Sequence, residues 1–299
     1  MTTNEVICFG EILWDVFPEH SVIGGAPLNV ALRLHSLGAR SAIVSKVGAD
    51  SLGQKVKEYL SEVGLQQDFI QEDTNLPTGT VSVTLDEHGG ATYEIHKPVA
   101  WDGIETSEVI LNAVKAAPIF LFGSLAARGG MNRDALRRML AVANTKIFDV
   151  NLRPPHYHIS MVYELMQQAD FVKLNDDELE EVCETLGCQE EVMEKQLFWL
   201  QAITEAKTIC VTRGDKGAIM LHNDLIYEHE GYPVEVCDTV GAGDSFLATL
   251  VYYLFLKNTT PDDALNAACG MGALVASKQG ANCPITDKEL WAFMHQQKS

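Results

Sequence analysis

The chain has 299 residues, of which 46% are apolar and 21% are charged, a composition typical of a globular protein with a sizeable core. Its 22 basic and 41 acidic residues give a net charge of −19 without a basic stripe, which argues against a nucleic-acid partner. No apolar run approaches the ~20 residues of a membrane span, and residues 1–5 lack the features of a signal peptide. We therefore expect a cytoplasmic protein with no membrane partner.

The first third of the chain alternates strands with helices and then changes pattern. Strands are predicted over residues 6–9 and 42–47, and helices over residues 29–37 and 52–63. In residues 79–85, by contrast, apolar and polar side chains alternate, and residues 91–96 repeat the pattern after a turn at 86–90. This alternation predicts an antiparallel hairpin with one apolar face. Together with residues near 12–23, the hairpin is expected to form a small β lid, from about 12–23 and 79–100.

From about residue 118 the chain repeats a strand–helix unit. Strands are predicted over residues 119–122, 146–149, 171–174 and 208–212, and helices over 132–143, 161–168, 178–186 and within 190–206. Three short strands at 218–222, 225–227 and 234–236 precede three helices at 242–256, 261–277 and 287–295. Such alternation predicts an α/β fold with a mainly parallel sheet and helices on both faces. Residues 1–299 are expected to form a single domain.

A glycine-rich turn at residues 238–244, Asp-Thr-Val-Gly-Ala-Gly-Asp, stands directly before an apolar helix. Such a turn leaves backbone N–H groups free, and the helix dipole behind them favours an anion. Asp244 would repel a phosphate that was only bound there, but it suits a base that takes a proton from an attacking hydroxyl. The alternative is that Asp244 caps the helix. The chain has no GxxxxGK[ST] motif, so it is not a P-loop enzyme.

A second glycine turn, Gly-Gly-Ala-Pro-Leu-Asn at residues 24–29, precedes the first long helix. Gly24 and Gly25 let a ligand approach the backbone closely, and Asn29 offers both donors and an acceptor. Asp15 adds a carboxylate that can accept from two hydroxyls, so this segment suits a neutral polyol. The alternative is a plain loop in which Asn29 is the helix N-cap.

Together, the two segments resemble both signatures of the ribokinase-like (pfkB) family of carbohydrate kinases, and the resemblance runs nearly end to end. It implies a doubly wound α/β domain with a small β lid over a sugar site. It also implies that Asp244 is the catalytic base, with Gly241, Ala242 and Gly243 forming the anion hole for the transferring phosphoryl group of ATP. Asp15, Gly24, Gly25 and Asn29 match sugar-binding positions.

The same resemblance assigns Asn175 and Glu178 to the family's N-x-x-E motif, which organises Mg²⁺ and its waters, so that Glu178 would bind the metal through water. The alternative is that Asp177 and Glu178 are solvated residues in the first turn of a helix. Arg153 matches a position near the transferred phosphate or the sugar. Its alternative is an arginine paired with surface acids.

The resemblance also implies a nucleotide site. Thr212, Gly214 and Gly217 match a T-x-G-x-x-G loop beside the phosphates and ribose, for which the alternative is a plain glycine turn. Gly272 lies in residues 270–276, which match the small-residue wall of an adenine pocket or, alternatively, a tight helix contact. Many members carry K⁺ behind the anion hole, and the matching positions here are the carboxylate of Asp238 and backbone carbonyls of Val240, Lys278 and Gly280.

Subgroup features point to fructose as the sugar, with fructose 6-phosphate as the product. Residues 10–15, 24–31, 47–53, 98–102 and 149–154 together look like those of fructokinases. A 2-dehydro-3-deoxygluconate kinase is the first alternative, because Arg153 could face a carboxylate, and a nucleoside kinase is another. A non-catalytic regulatory member of the family is a third. An exposed apolar face on the lid would favour a homodimer.

Overall fold

The computed structural model describes residues 4–85 and 91–296, and this part of the chain forms two sheets and ten α-helices. The strands are β1 (Val6–Phe9), β2 (Leu13–Val16), β3 (Ser21–Gly24), β4 (Ser41–Gly48), β5 (Ile70–Asp73), β6 (Gly79–Leu85), β7 (Ala91–Ile95), β8 (Ile119–Gly123), β9 (Thr145–Asp149), β10 (Phe171–Asn175), β11 (Thr208–Thr212), β12 (Ala218–His222) and β13 (Leu225–His229).

The helices pack on both faces of the larger sheet. They are α1 (Ala26–Ser36), α2 (Ser51–Val63), α3 (Glu108–Ala116), α4 (Gly130–Leu140), α5 (Ile159–Met166), α6 (Asp176–Leu186), α7 (Met193–Thr204), α8 (Ala242–Val251), α9 (Pro261–Ala276) and α10 (Asp287–Gln296). None of the helices in the described residues is both long and apolar enough to cross a membrane.

The larger sheet has nine strands in the order β13-β12-β11-β10-β9-β8-β1-β4-β5. The strands from β11 to β5 are parallel, and β12 and β13 add an antiparallel edge. The chain fills the sheet outward from β1 first in one direction and then, starting with β8, in the other. Open α/β sheets bind ligands at the carboxyl ends of their strands beside such a switch point.

Alternate residues of β1 face two separate cores. Val6 and Cys8 pack in a cluster with α1, α8 and α9, whereas Ile7 and Phe9 pack in a second cluster with α3, α4 and α5. All four side chains are fully buried. Since side chains alternate across a strand, this division requires helices on both faces of the sheet. The predicted α/β architecture with a mainly parallel sheet is confirmed.

The smaller sheet has the strand order β3-β2-β6-β7 and uses the residues predicted for the lid. β2 pairs antiparallel with β3 and parallel with β6, and β6 pairs antiparallel with β7. Val81 and Val83 are buried, while Ser82 between them is half-buried, in keeping with the predicted alternation. The predicted turn at 86–90 lies outside the described residues, and the role of this small sheet as a lid stays a prediction.

Four elements differ from the prediction. α1 begins at Ala26, three residues before the predicted start, because Pro27 is compatible with a first helical turn. β5 and α3 were not predicted; β5 is a polar edge strand that the apolar pattern does not mark. Residues 234–236 were predicted as a strand, and this is wrong: they join no ladder, and Val236 is exposed.

A compact junction around Asp50 fixes the segment that leads into the small sheet. Oδ1 of Asp50 accepts from the Gly53 backbone at 2.8 Å and from Thr78 Oγ1 at 2.7 Å, and Oδ2 accepts from the Thr78 backbone at 2.8 Å. A Cβ on Gly53 would lie 2.1 Å from the carbonyl oxygen of Gly48. Asp50 therefore caps α2 and anchors the start of β6 at the same time.

Replacing Asp50 with alanine should lower the free energy of unfolding by about 2–4 kcal/mol, because a helix cap and two bonds to buried Thr78 are lost together. Urea denaturation followed by circular dichroism measures the change. The matched control is Asp134→Ala, which removes only an exposed pair with Arg137 and should cost less than about 0.5 kcal/mol. Equal losses in the two variants would contradict this role for Asp50.

Candidate active site

The amino end of α8 presents backbone donors at the carboxyl edge of the larger sheet. Gly241 is the N-cap residue with φ 74°, and a Cβ there would lie 2.3 Å from the Cβ of Ala281, so the turn requires glycine. The backbone nitrogen of Ala242 donates to Thr239 at 3.2 Å, whereas those of Gly241 and Gly243 donate to no protein group in the described residues. Free donors at a helix amino end form an anion site.

Asp244 lies in the first turn of α8 but does not cap it. The cap position belongs to Gly241, and no side chain makes a capping bond there. Asp244 Oδ2 instead accepts a 2.8 Å hydrogen bond from Asn29 Nδ2. The alternative interpretation of Asp244 as a helix cap is therefore wrong.

Asn29 is not an N-cap either, because α1 is capped by Gly25 and the backbone of Asn29 donates to the Gly25 carbonyl at 2.9 Å. Its buried side chain is free to reach Asp244 on α8 and to accept from Asn282 at 3.0 Å. The structure thus brings together the two glycine turns that the sequence singled out.

Burial, with a smaller contribution from the nearby carboxylate of Asp149, raises the pKa of Asp244 to about 6. The bond from Asn29 and the charges of Lys173 and Arg153 oppose this rise. Asp244 is therefore ionised at neutral pH but holds a proton more tightly than an ordinary aspartate, which suits a general base.

Two further carboxylates share the surroundings of Asp244. Burial raises the pKa of Asp15 to about 6 and that of Glu11 to about 7, and Arg153 lowers both. Arg153 itself is exposed, donates to the Leu152 carbonyl and forms no ion pair in the described residues, which contradicts the alternative of an arginine paired with surface acids. A Cβ on Gly24 would lie 2.8 Å from Asp15 Oδ2, so Gly24 leaves the space that this carboxylate occupies.

Glu178 is buried, with an exposed fraction of 6%, so the interpretation of it as a solvated residue is wrong, although neighbouring Asp177 is exposed. Its Oε1 accepts from the Leu152 backbone at 2.8 Å and its Oε2 from the Asn175 backbone at 2.9 Å. The Asn175 side chain caps α6 by accepting from Glu178 at 2.7 Å. Both oxygens are thus engaged by the backbone, which fits a contact with Mg²⁺ through water better than direct ligation.

Lys173 was missed by the sequence analysis, although a lysine inside the apolar strand β10 is itself a signal. Its ammonium lies 3.1 Å from Asp149 Oδ1, and a Cβ on Gly243 would lie 3.5 Å from it. Burial alone would lower its pKa, but Asp149, Glu178 and Asp244 together raise it, so Lys173 remains charged. A buried cation therefore lies directly behind the anion donors of α8.

Among the residues predicted to hold the nucleotide, close packing requires glycine at one position but not at another. Gly217 has φ 76°, and a Cβ there would lie 2.0 Å from the His229 carbonyl, so its turn is required by the fold. Nothing lies within 4 Å of a Cβ on Gly214, which keeps an open face. Thr212 ends β11 and donates to the Leu174 carbonyl at 3.4 Å.

Helix α9 contains one glycine that close packing requires and one that it does not require. A Cβ on Gly270 would lie 2.9 Å from Met294, which explains that residue by tight packing. A Cβ on Gly272 would meet only ordinary contacts, of which Phe246 at 3.6 Å is the nearest. Packing therefore does not account for Gly272, and its place in an adenine pocket stays a prediction.

Asp238 links the two segments predicted to surround K⁺. Its Oδ1 accepts from the Val240 backbone and its Oδ2 from the Gly280 backbone, each at 3.0 Å. The ammonium of Lys278 lies 3.4 Å from the Pro284 carbonyl, so only the carbonyl of Lys278 could serve a cation. These two bonds bring the backbone of Val240 and of Gly280 to the carboxylate, and the K⁺ site itself stays a prediction.

Comparison with known proteins places this geometry in a class. The model of the pfkB family of carbohydrate kinases matches residues 4–288. Fructokinase-2 of Solanum habrochaites is 29% identical over 304 residues, which span 92% of this chain and 91% of that protein. Fructokinase-2 of Oryza sativa subsp. japonica is 28% identical over 93% of this chain and 90% of that protein.

A solved structure of fructokinase from Vibrio cholerae O395, in a form with bound fructose, ADP and calcium ion, is 27% identical, with a TM-score of 0.83 over 98% of this chain and 100% of that chain. Fructokinase from Xylella fastidiosa with bound ATP shares the fold, with a TM-score of 0.86 at 23% identity over 99% of this chain and 100% of that chain. The sheet, the anion donors and these matches define an ATP-dependent sugar kinase. The chain belongs to the pfkB family of carbohydrate kinases, as the resemblance predicted.

The raised pKa of Asp244 has a consequence for stability. Because the folded-state pKa of about 6 exceeds the ordinary 3.8, the Asp244 carboxylate does not lower the free energy of unfolding below about pH 4. Above about pH 6, where it is charged in the folded protein, it lowers that free energy by its full amount. Asp244→Asn should therefore raise the free energy of unfolding by about 1–3 kcal/mol at neutral pH, and the gain should vanish near pH 4.

Urea denaturation at about pH 4 and about pH 7.5 measures this difference. Asp134→Asn, at a well-exposed position, is the matched control and should change the free energy of unfolding by less than about 0.5 kcal/mol in both measurements. A gain from Asp244→Asn that was the same at both pH values would contradict the burial cost assigned to this carboxylate.

Proposed function

We propose that the protein transfers the γ-phosphoryl group of ATP to a hydroxyl of fructose, with Asp244 as the general base and fructose 6-phosphate as the product. The observation that carries the proposal is the hydrogen bond from Asn29 to Asp244. It holds the polar side chain of the first glycine turn beside a carboxylate that adjoins free anion donors. A hydroxyl held by the first turn would therefore meet both the base and the phosphoryl group.

In this mechanism Asp244 Oδ1 takes the proton as the hydroxyl oxygen attacks the γ-phosphorus, and the bond from that phosphorus to the β-phosphate oxygen breaks, so that ADP leaves. Oδ2 remains held by Asn29, so the carboxylate keeps its orientation during the transfer. The backbone donors of Gly241 and Gly243 stabilise the charge on the transferring group, and the Lys173 ammonium behind them adds to that field. Asp15 accepts hydrogen bonds from sugar hydroxyls.

Mg²⁺ would be held near Asn175 and Glu178 through water, where it would neutralise charge on the ATP phosphates. The buried carboxylates of Glu178 and Asp149 fit such a cation, because each adds negative charge beside the anion donors. K⁺ would lie among the oxygens of Asp238, Val240, Lys278 and Gly280, behind Gly241. Closure of the small sheet over the sugar would exclude water from the transfer.

Asp244→Asn should lower kcat about 10²–10⁴-fold, since general-base catalysis contributes factors of this size. Binding of ATP, measured by calorimetry, should change less than about threefold, because the anion donors are backbone groups. In the parent protein kcat/KM should fall as the pH drops through about 6, where Asp244 and Asp15 take up protons. Near-normal turnover of the variant would contradict the assignment of the base.

Fructose should give the highest kcat/KM when ATP consumption is compared across fructose, ribose, 2-dehydro-3-deoxygluconate and adenosine. Phosphorus and carbon NMR of the product identifies the phosphorylated hydroxyl. Arg153 forms no ion pair within the described residues. Turnover of 2-dehydro-3-deoxygluconate, the acid among the four compounds, tests the alternative in which Arg153 faces a substrate carboxylate. Preference for that acid would replace fructose in the proposal and leave the kinase mechanism intact.

A further inference from the structure

A four-residue segment between α9 and α10, residues 280–283, contacts the site along its whole length. Gly280 donates to the carboxylate of Asp238. Ala281 packs closely on Gly241, since a Cβ added to Gly241 would lie 2.3 Å from the Cβ of Ala281. The two following residues reach α1. The segment therefore joins the turn before α8 to the helix that carries Asn29.

Asn282 makes the contact that matters most for the base. Its Nδ2 donates to Asn29 Oδ1 at 3.0 Å, and Asn29 Nδ2 donates to Asp244 Oδ2 at 2.8 Å. The carboxylate can only accept, so Asn29 must turn its amide nitrogen toward it and its oxygen toward Asn282. In both hydrogen bonds the donor thus lies on the side of Asn282 and the acceptor on the side of Asp244.

One helical turn further along α1, Arg33 makes a parallel set of bonds. It is buried and donates to Ser245 Oγ at 3.1 Å and to the Cys283 carbonyl at 2.9 Å. Ser245 directly follows the base, and Cys283 directly follows Asn282. These bonds hold α1, α8 and the segment 280–283 at a fixed distance from one another, so Asn282 is presented to Asn29 by a rigid support.

We propose that Asn282 is a positioning residue for the phosphoryl transfer: it fixes the amide of Asn29 so that this amide holds Asp244 Oδ2 and leaves Oδ1 for the sugar hydroxyl. The inference rests on the function proposed above and adds a residue to it. If the Asn29 amide were rotated by half a turn, its oxygen would face the Asp244 carboxylate and its nitrogen would face the Asn282 nitrogen, so neither hydrogen bond could form. With Asp244 as the acceptor on one side and Asn282 as the donor on the other, the productive orientation is the only one that satisfies both contacts.

Asn282 also tunes the strength of the bond to the base. A hydrogen bond accepted by an amide oxygen polarises the amide and strengthens donation from its nitrogen. The bond from Asn29 lowers the pKa of Asp244 against the effect of burial. The other groups that face Asp244 are Asp149, which raises its pKa, Lys173 and Arg153, which lower it, and Glu11, whose own pKa is raised by the charge of Asp244. None of these four contacts Asn282 through a hydrogen bond or ion pair in the described residues.

Two variants of Asn282 separate this role from simple packing. Asn282→Leu removes the donor and should lower kcat about tenfold, with the KM for ATP changed less than about twofold. Asn282→Asp keeps the shape but opposes a carboxylate to Asn29 Oδ1, which turns the amide away from Asp244. It should lower kcat about threefold more and move the acidic limb of the kcat/KM profile about one pH unit upward.

A double-mutant cycle identifies the route. In an Asn29→Ala background, Asn282→Leu should change kcat less than about twofold, because the residue through which it acts is gone. Asn144→Leu is the matched control: Asn144 Nδ2 donates to the carbonyls of Lys115 and Ala117, remote from the site, and its loss should leave kcat unchanged.

The inference is overturned if Asn282→Leu keeps the parent kcat and pH profile, or loses as much activity in the Asn29→Ala background as in the parent. It is also overturned if Asn282→Leu and Asn282→Asp have the same kcat and pH profile. If Asp244→Asn is inactive while both Asn282 variants are fully active, this inference fails and the kinase proposal stands. If the parent phosphorylates none of the sugars, both fail together.

Discussion

The hydrogen bond between Asn29 and Asp244 joins two residues that are 215 positions apart, and the organisation of the site depends on it. α1 follows the first glycine turn and α8 follows the second, and both begin at the carboxyl edge of the parallel sheet. Because β1 lies at the switch point between the two halves of that sheet, helices from distant parts of the chain start side by side. The hydrogen bond between their first turns fixes the orientation of the Asp244 carboxylate.

The buried charges around this bond have opposing effects on folding and on chemistry. Asp149, Glu178 and Lys173 are buried, with Asp244 half-buried among them, and burial of such groups carries a desolvation cost. Their signs are arranged so that the ammonium of Lys173 lies among three carboxylates. That arrangement keeps Asp244 ionised at neutral pH although its surroundings favour the acid form. A carboxylate in this state suits the general base of the proposed phosphoryl transfer.

Glycines decide between the catalytic and the structural interpretations of two side chains. Gly25 and Gly241 occupy the N-cap positions of α1 and α8, each with positive φ, where a polar cap residue would otherwise stand. Asn29 and Asp244 therefore lie inside the first turns and are free to reach each other. Glu178 shows the opposite case, because it forms a capping box with Asn175 and is buried as well, so its structural and proposed roles coincide.

The sequence by itself determined what depends on local pattern. Apolar periodicity located most strands and helices, and the two glycine turns identified Asp244, Asn29 and the anion donors, because turns and helix starts have short-range signatures. Only the tertiary structure placed Lys173, Glu11 and Asn282 beside the two glycine turns. Lys173 contacts Asp149 on a neighbouring strand, and Asn282 contacts a residue 253 positions away, and no local pattern encodes contacts of that kind. The pairing of the two turns was likewise decided by the sheet, which alone brings their helices to one edge.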